Sequence, residues 1–118
     1  MPELIVGIGA RPATPASDLL AAIHTVTDQP IAELATIDRR ARESGVREAA
    51  ASLGAEVVSF TAAELAQVPV ATETSRTRDA VGTGSVAEAA ALLAAGASVL
   101  ATPRRTVNGV VVALALKV

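Results

Sequence analysis

The sequence predicts an α/β domain: a mixed, mostly parallel sheet of about five strands with helices on its faces and an antiparallel hairpin at the C-terminal end. Three observations carry this. Short apolar runs alternate with helix-period segments, glycines and prolines mark the handovers between them, and Asn108-Gly109 joins the last two apolar runs. Alternating strands and helices require right-handed crossovers, which set parallel strands side by side with the helices covering them. At 118 residues the chain is expected to be one domain, residues 1–118. Hydrophobic residues make up 51%, mostly Ala, Val and Leu, and Phe60 is the one aromatic. Such a core must pack through small side chains, with helices lying close to the sheet.

Leu4-Ile5-Val6-Gly7-Ile8-Gly9 reads as a strand buried on both faces, hence central. Arg11-Pro12-Ala13-Thr14-Pro15 is a turn in which Thr14 is expected to cap a helix with Pro15 at its first position. Asp18 suits that helix's first turn, Leu19, Leu20, Ile23 and Val26 point inward, and the helix stops around Asp28-Gln29-Pro30. A second strand covers residues 31–37. A basic segment through Arg42 then leads into a helix with Val46, Ala49, Ala50 and Leu53 on one face, and Gly54 is placed to end it. Residues 56–60 form a third strand, and Thr61-Ala62-Ala63-Glu64 is a capping box opening a short helix that ends by Pro69. Residues 70–83 read as a long polar loop, expected to be a mobile flap over the strand ends. Ser85 is expected to cap an Ala-rich helix over residues 86–95, with Glu88 as its capping-box partner and Gly96 as its end. Strands at residues 98–102 and 110–116 close the chain as a hairpin through Pro103-Arg104-Arg105-Thr106-Val107-Asn108-Gly109.

Charge is unevenly placed. Arg11, Arg39, Arg40, Arg42, Arg76, Arg78, Arg104 and Arg105 sit at predicted turns. With Asp38, Glu43, Glu73 and Asp79 from the same stretches, eight arginines less four acids give +4, leaving −6 on the rest of a chain whose net is −2. A basic rim on an acidic body suits a compact polyanionic ligand; solvated loop arginines are the plainer alternative. A negative net charge without Tyr or Trp makes nucleic acid a poor partner. The absence of Cys excludes disulfides, thiolate catalysis and Cys-bound metal. The Met1-Pro2-Glu3 start has no basic leader region and no apolar stretch reaches membrane-spanning length, so a soluble cytoplasmic protein with no membrane partner is expected.

Ligands of open α/β sheets bind outside the carboxyl ends of the strands. By that rule Arg11, Thr14, Thr36, Asp38, Arg39, Gly84, Ser85 and Arg104 form the expected binding cleft, Thr14 and Ser85 presenting helix N-termini to an anion. Gly7-Ile8-Gly9-Ala10-Arg11-Pro12 begins like a dinucleotide fingerprint but carries Pro12 in place of the third glycine. Gly82-Thr83-Gly84-Ser85 lacks the P-loop lysine and spacing. His24 is mid-helix with no second His or Cys to share a metal, so no metal and no cofactor is expected. Chemistry, if any, would fall to Thr36 or Asp38, with Glu43 and Ser85 the remaining options.

Three stretches, Gly7-Ile8-Gly9-Ala10-Arg11-Pro12-Ala13-Thr14-Pro15, Leu34-Ala35-Thr36-Ile37-Asp38-Arg39-Arg40 and Gly82-Thr83-Gly84-Ser85-Val86-Ala87-Glu88-Ala89-Ala90-Ala91, occur in order with Phe60-Thr61-Ala62-Ala63-Glu64-Leu65 between the last two. Together they resemble the cobalamin biosynthesis proteins of the CobE type, equivalent to the C-terminal domain of CbiG. The family pattern often has Cys and Gly where this chain has Ala10 and Ala13. The resemblance implies a three-layer α/β/α domain and a role in corrin ring synthesis, with a corrin or precorrin intermediate as ligand and other cobalamin-biosynthesis enzymes as partners. In the longer CbiG proteins this domain accompanies lactone opening with acetaldehyde release; this chain looks like the accessory piece alone. Three readings follow: a non-catalytic binder or carrier of a carboxylate-rich corrinoid, a small hydrolase acting on a precorrin side chain or lactone, and a generic phosphometabolite-binding domain.

Overall fold

The computed structural model describes residues 3–68 and 83–118. Its elements run β1 (Leu4–Gly9), α1 (Ala16–Val26), β2 (Glu33–Ile37), α2 (Asp38–Ala41), α3 (Ser44–Leu53), β3 (Glu56–Phe60), α4 (Ala62–Ala66), α5 (Thr83–Ala95), β4 (Thr102–Val107) and β5 (Val110–Leu116). The five strands form one sheet in the order β3-β2-β1-β5-β4. β1, β2 and β3 are parallel, and β5 runs antiparallel to both β1 and β4. The sheet is mixed, as the sequence predicts, with β1 at its centre. The expected loop over residues 70–83 lies outside the described residues, apart from Thr83, which opens α5.

Alternation along β1 divides the core into two layers. Val6 and Ile8 pack with Val112 and Leu114 against α1 and α3, whose Leu19, Ile23, Val46 and Ala49 are buried there. Ile5 packs on the opposite face with Ala35, Val111 and Ala113, beneath α5 and Leu65 of α4. That second interface is made of small groups. Gly7 pairs with Ala35 on β2 and with Ala113 on β5, so three adjacent strands present a shallow trough. Helix α5 lies in it with Ala87, Ala90, Ala91 and Ala95 buried. A Cβ added at Gly7 would overlap the Ala87 carbonyl oxygen and sit 2.8 Å from the Ala91 nitrogen. The alanine-rich composition is thus what lets helix backbone rest on strand backbone.

Several local signals act as read. Thr61 and Glu64 form a reciprocal capping box, with Thr61 N–H donating to Glu64 Oε1 at 2.8 Å and Glu64 N–H to Thr61 Oγ1 at 3.1 Å. Gly54 ends α3 at φ 69°, and its N–H donates to the carbonyls of Ala50 and Ala51. Asn108 and Gly109 have φ of 50° and 82°, the two left-handed residues of a type I′ hairpin turn.

Other expectations are corrected. Thr14 does not cap α1: the helix begins at Ala16, Pro15 is its N-cap, and the Thr14 hydroxyl donates to the Arg11 carbonyl at 2.7 Å. The basic segment after β2 is itself a short helix, α2. Helix α5 starts at Thr83, so Ser85 falls within its first turn, and Glu88 is buried inside, with Oε2 accepting from the Arg104 amide at 3.1 Å. Strand β4 spans Thr102–Val107, so Arg104 and Arg105 belong to a strand and residues 98–100 do not. The reason is the turn: two residues suffice to reverse the chain at Asn108-Gly109, so the segment immediately before it must pair. Pro103 is tolerated because β4 is an edge strand, and between Thr102 and Arg105 the register shifts by one residue in a bulge.

Candidate functional site

The carboxyl ends of β1, β2 and β3 lie on one edge of the sheet, joined by the β4–β5 hairpin because Gly9 pairs with Val111 at the start of β5. α5 reaches the same edge. Its Ala87 carbonyl meets Gly7 while its Ala95 carbonyl accepts from Val118 N–H at 2.9 Å, so the helix runs antiparallel to β1 and its N-terminal turn points to the carboxyl edge.

At the end of β1 a cleft of about 500 Å³ opens between the turn after β1, the first turns of α1 and the hairpin. Arg11, Thr14, Asp18, Asn108 and Gly109 line it. Arg11 is exposed and Thr14 half-buried. The turn is shaped by Ala13, whose φ of 63° lies in the left-handed region. Ala13 N–H donates to Glu43 Oε1 at 3.0 Å, and the other Glu43 oxygen pairs with Arg40. Gly45 lies against the Thr14 carbonyl so closely that a Cβ there would overlap it. A smaller cleft of about 280 Å³, lined in part by Thr14, Glu43, Ser44 and Gly45, adjoins this seam.

The structure distributes the remaining expected site residues. Asp38 and Arg39 open α2 at the end of β2, Asp38 half-buried and Arg39 exposed. Thr36 is fully buried in β2 and donates from Oγ1 to the Ile8 carbonyl at 2.8 Å. Gly84 and Ser85 lie in the first turn of α5 at the carboxyl edge. Arg104 lies on the edge strand at the bulge, beside Glu88 of α5. Its neighbour Arg105 pairs with Val112, a residue of the α1–α3 face, and cross-strand partners share a face. Arg105 therefore stands on the face that Arg11 occupies. Of the expected set, Arg11 and Thr14 meet in one cleft.

Asp18, Asn108 and Gly109 were not expected in the site. Asn108-Gly109 is legible as a turn, but its place beside Arg11 depends on β5 inserting next to β1. A second cleft, about 480 Å³, lies between α4 and α5 and is lined by Phe60, Glu64, Gln67, Val68, Leu92, Leu93, Gly96 and Ala97. It is more apolar and carries an acid without an arginine among those residues, which makes it the poorer host for carboxylates. Among the described residues no group of three His, Cys, Asp or Glu side chains could hold a metal ion, and no helix is long and apolar enough to cross a membrane. At the opposite edge of the sheet, Lys117 Nζ donates to Glu33 Oε2 at 3.0 Å, and this bond raises the lysine above its ordinary pKa.

Comparison with known proteins places these features in a family. The family model described as "Cobalamin synthesis G C-terminus" matches residues 4–115. The solved structure of CobE, a protein from the cobalamin (vitamin B12) biosynthetic pathway, is 28% identical, with a TM-score of 0.80 over 99% of this chain and 92% of that one. The cobalamin biosynthesis protein chiG from Agrobacterium tumefaciens str. C58 is 33% identical, with a TM-score of 0.70 over 94% of this chain and 95% of that one. A putative cobalamin biosynthesis protein G homolog from Sulfolobus solfataricus shares the fold at 19% identity, with a TM-score of 0.77, and here 99% of this chain covers 37% of that one. No curated protein sequence gives a significant match. The chain belongs to the cobalamin synthesis G C-terminus family, proteins of cobalamin biosynthesis.

Proposed function

We propose that the chain binds a carboxylate-rich corrin or precorrin intermediate at the carboxyl edge of its sheet, as a carrier or accessory protein and without transforming it. The observation that carries this reading is the cleft at the end of β1, where Arg11 stands exposed between Thr14 and the Asn108-Gly109 turn. Corrin intermediates carry acetate and propionate carboxylates around an apolar ring, and a guanidinium is the side chain best matched to a carboxylate. Arg39 on the neighbouring strand end, Arg105 on the same face and the first turn of α5 extend the basic edge around Arg11. Asp38 repels such a ligand, and its place in the first turn of α2 suits it to orienting that helix. The binding reading is favoured over hydrolysis because the Thr36 hydroxyl is buried and donates to the Ile8 carbonyl rather than facing a cleft.

The test is a titration of dicyanocobyrinic acid, a corrin whose side chains are free carboxylates, followed by its visible absorption. Binding without a change in the recovered corrin supports the carrier, and a precorrin consumed on incubation supports the hydrolase. Arg11→Ala is expected to lose about 1.5–3 kcal/mol of binding, the worth of a charge-assisted contact, and affinity is expected to weaken with salt. Arg47→Ala removes the same charge from exposed α3, outside the cleft. Equal losses from the two variants would mean that only net charge matters.

A further inference from the structure

We propose that Glu43 is a positioning residue for this cleft, holding in shape the turn that presents Arg11; the proposal rests on the carboxylate-binding reading above. The turn over residues 11–14 is unusual in its backbone. Ala13 sits at φ 63°, a region that residues with a Cβ avoid unless the surroundings impose it. The Thr14 hydroxyl closes the turn onto the Arg11 carbonyl at 2.7 Å, so a change at Ala13 is passed directly to Arg11. What imposes the shape comes from thirty residues away: the Ala13 amide donates to Glu43 Oε1 at 3.0 Å.

Glu43 is itself fixed. Arg40, largely buried, pairs with its second oxygen across one helical turn at the α2–α3 corner. The Thr14 carbonyl rests directly on Gly45, two residues further along, so the corner supports the turn at two points. Two consequences follow. Arg40 is committed to Glu43, which leaves Arg11 as the arginine offered to a ligand in this cleft. And the carboxylate of Glu43, though acidic and near a site for anions, serves that site by accepting a backbone N–H that would otherwise let Ala13 relax to negative φ and carry Arg11 away.

The affinity of dicyanocobyrinic acid is measured for the full chain, for Glu43→Ala and Glu43→Gln, and for each of these combined with Arg11→Ala. Glu43→Ala is expected to weaken binding about tenfold, and Glu43→Gln less, because the amide oxygen can still accept the Ala13 N–H. In the Arg11→Ala background neither change is expected to cost more, since Glu43 acts through Arg11. Adding Ala13→Gly to Glu43→Ala should recover part of the loss, because glycine adopts the left-handed turn without support. A merely structural role predicts equal losses with and without Arg11, and that result overturns the proposal while leaving the binding reading intact. Failure of the unaltered protein to bind the corrin overturns both. Should Glu43→Ala unfold by far-UV circular dichroism, Glu43→Gln in the two backgrounds carries the same comparison.

Discussion

Replacing Gly7 by Ala tests whether close approach of backbones holds this fold together. The new Cβ would overlap the Ala87 carbonyl oxygen and lie 2.8 Å from the Ala91 nitrogen and 2.9 Å from its Cβ. Two of those atoms are helix backbone, so no side-chain rotation relieves the clash. To restore an ordinary contact of about 3.5 Å to the overlapped Ala87 oxygen, α5 would have to withdraw from β1 by roughly 1.5 Å, and a gap of that size forfeits about half or more of each dispersion contact along the interface. α5 touches β1, β2 and β5 through buried Ala87, Ala90, Ala91 and Ala95, so the loss spreads over much of one core layer. Overpacking costs about 1–3 kcal/mol, and the upper end is expected here because both partners are backbone. At about 2.1 cal/mol/K of unfolding entropy per residue, a chain of 118 residues loses about 12 °C in Tm for 3 kcal/mol. With neither Trp nor Tyr present, far-UV circular dichroism in urea is the suitable readout. At a slope of about 2 kcal/mol/M the midpoint should fall by roughly 1.5 M with the slope unchanged. A fall of less than about a third of that would refute the reasoning, since it would mean that α5 slides aside at little cost.

Thr36→Val keeps the volume but removes the buried hydroxyl bonded to the Ile8 carbonyl, and is expected to cost about 1 kcal/mol, roughly 4 °C in Tm, with corrin affinity unchanged. A loss of affinity comparable to that of Arg11→Ala would show that Thr36 does reach the ligand. At the other edge of the sheet, the raised pKa of Lys117 means that its bond to Glu33 adds stability below the lysine's unfolded pKa of about 10.4 and loses it as pH rises through the folded value. Urea midpoints of the native chain and Lys117→Gln should therefore differ at pH 8 and converge as pH rises past the lysine's raised folded value; a gap that does not narrow with rising pH would assign the effect to packing instead.

What the sequence by itself determined are the features whose causes are local. The Thr61–Glu64 box needs only one helical turn to close, Gly54 needs only its own φ, and Asn108-Gly109 needs only two left-handed residues. The alternation of strands and helices, with β1 apolar on both faces, likewise follows from burial read one residue at a time. The alanine content foretold close packing without saying which glycine would meet which helix. Tertiary structure decided the rest, because each remaining feature depends on a partner distant in the chain. Thr14 gave up the helix cap for the Arg11 carbonyl in a turn whose left-handed Ala13 is held by Glu43. Glu88, read locally only as a helix-start acid, is buried and accepts from the Arg104 amide, which lies beside it where β4 bulges in the folded sheet. Thr36 reads as a strand-end polar residue, yet β2 lies against β1 with the Ile8 carbonyl within reach, so the hydroxyl is drawn inside. The cleft itself exists only because β5 returns beside β1 and brings Asn108-Gly109 to Arg11, a pairing in which residues about a hundred positions apart become neighbours through hydrogen bonds that no local pattern encodes.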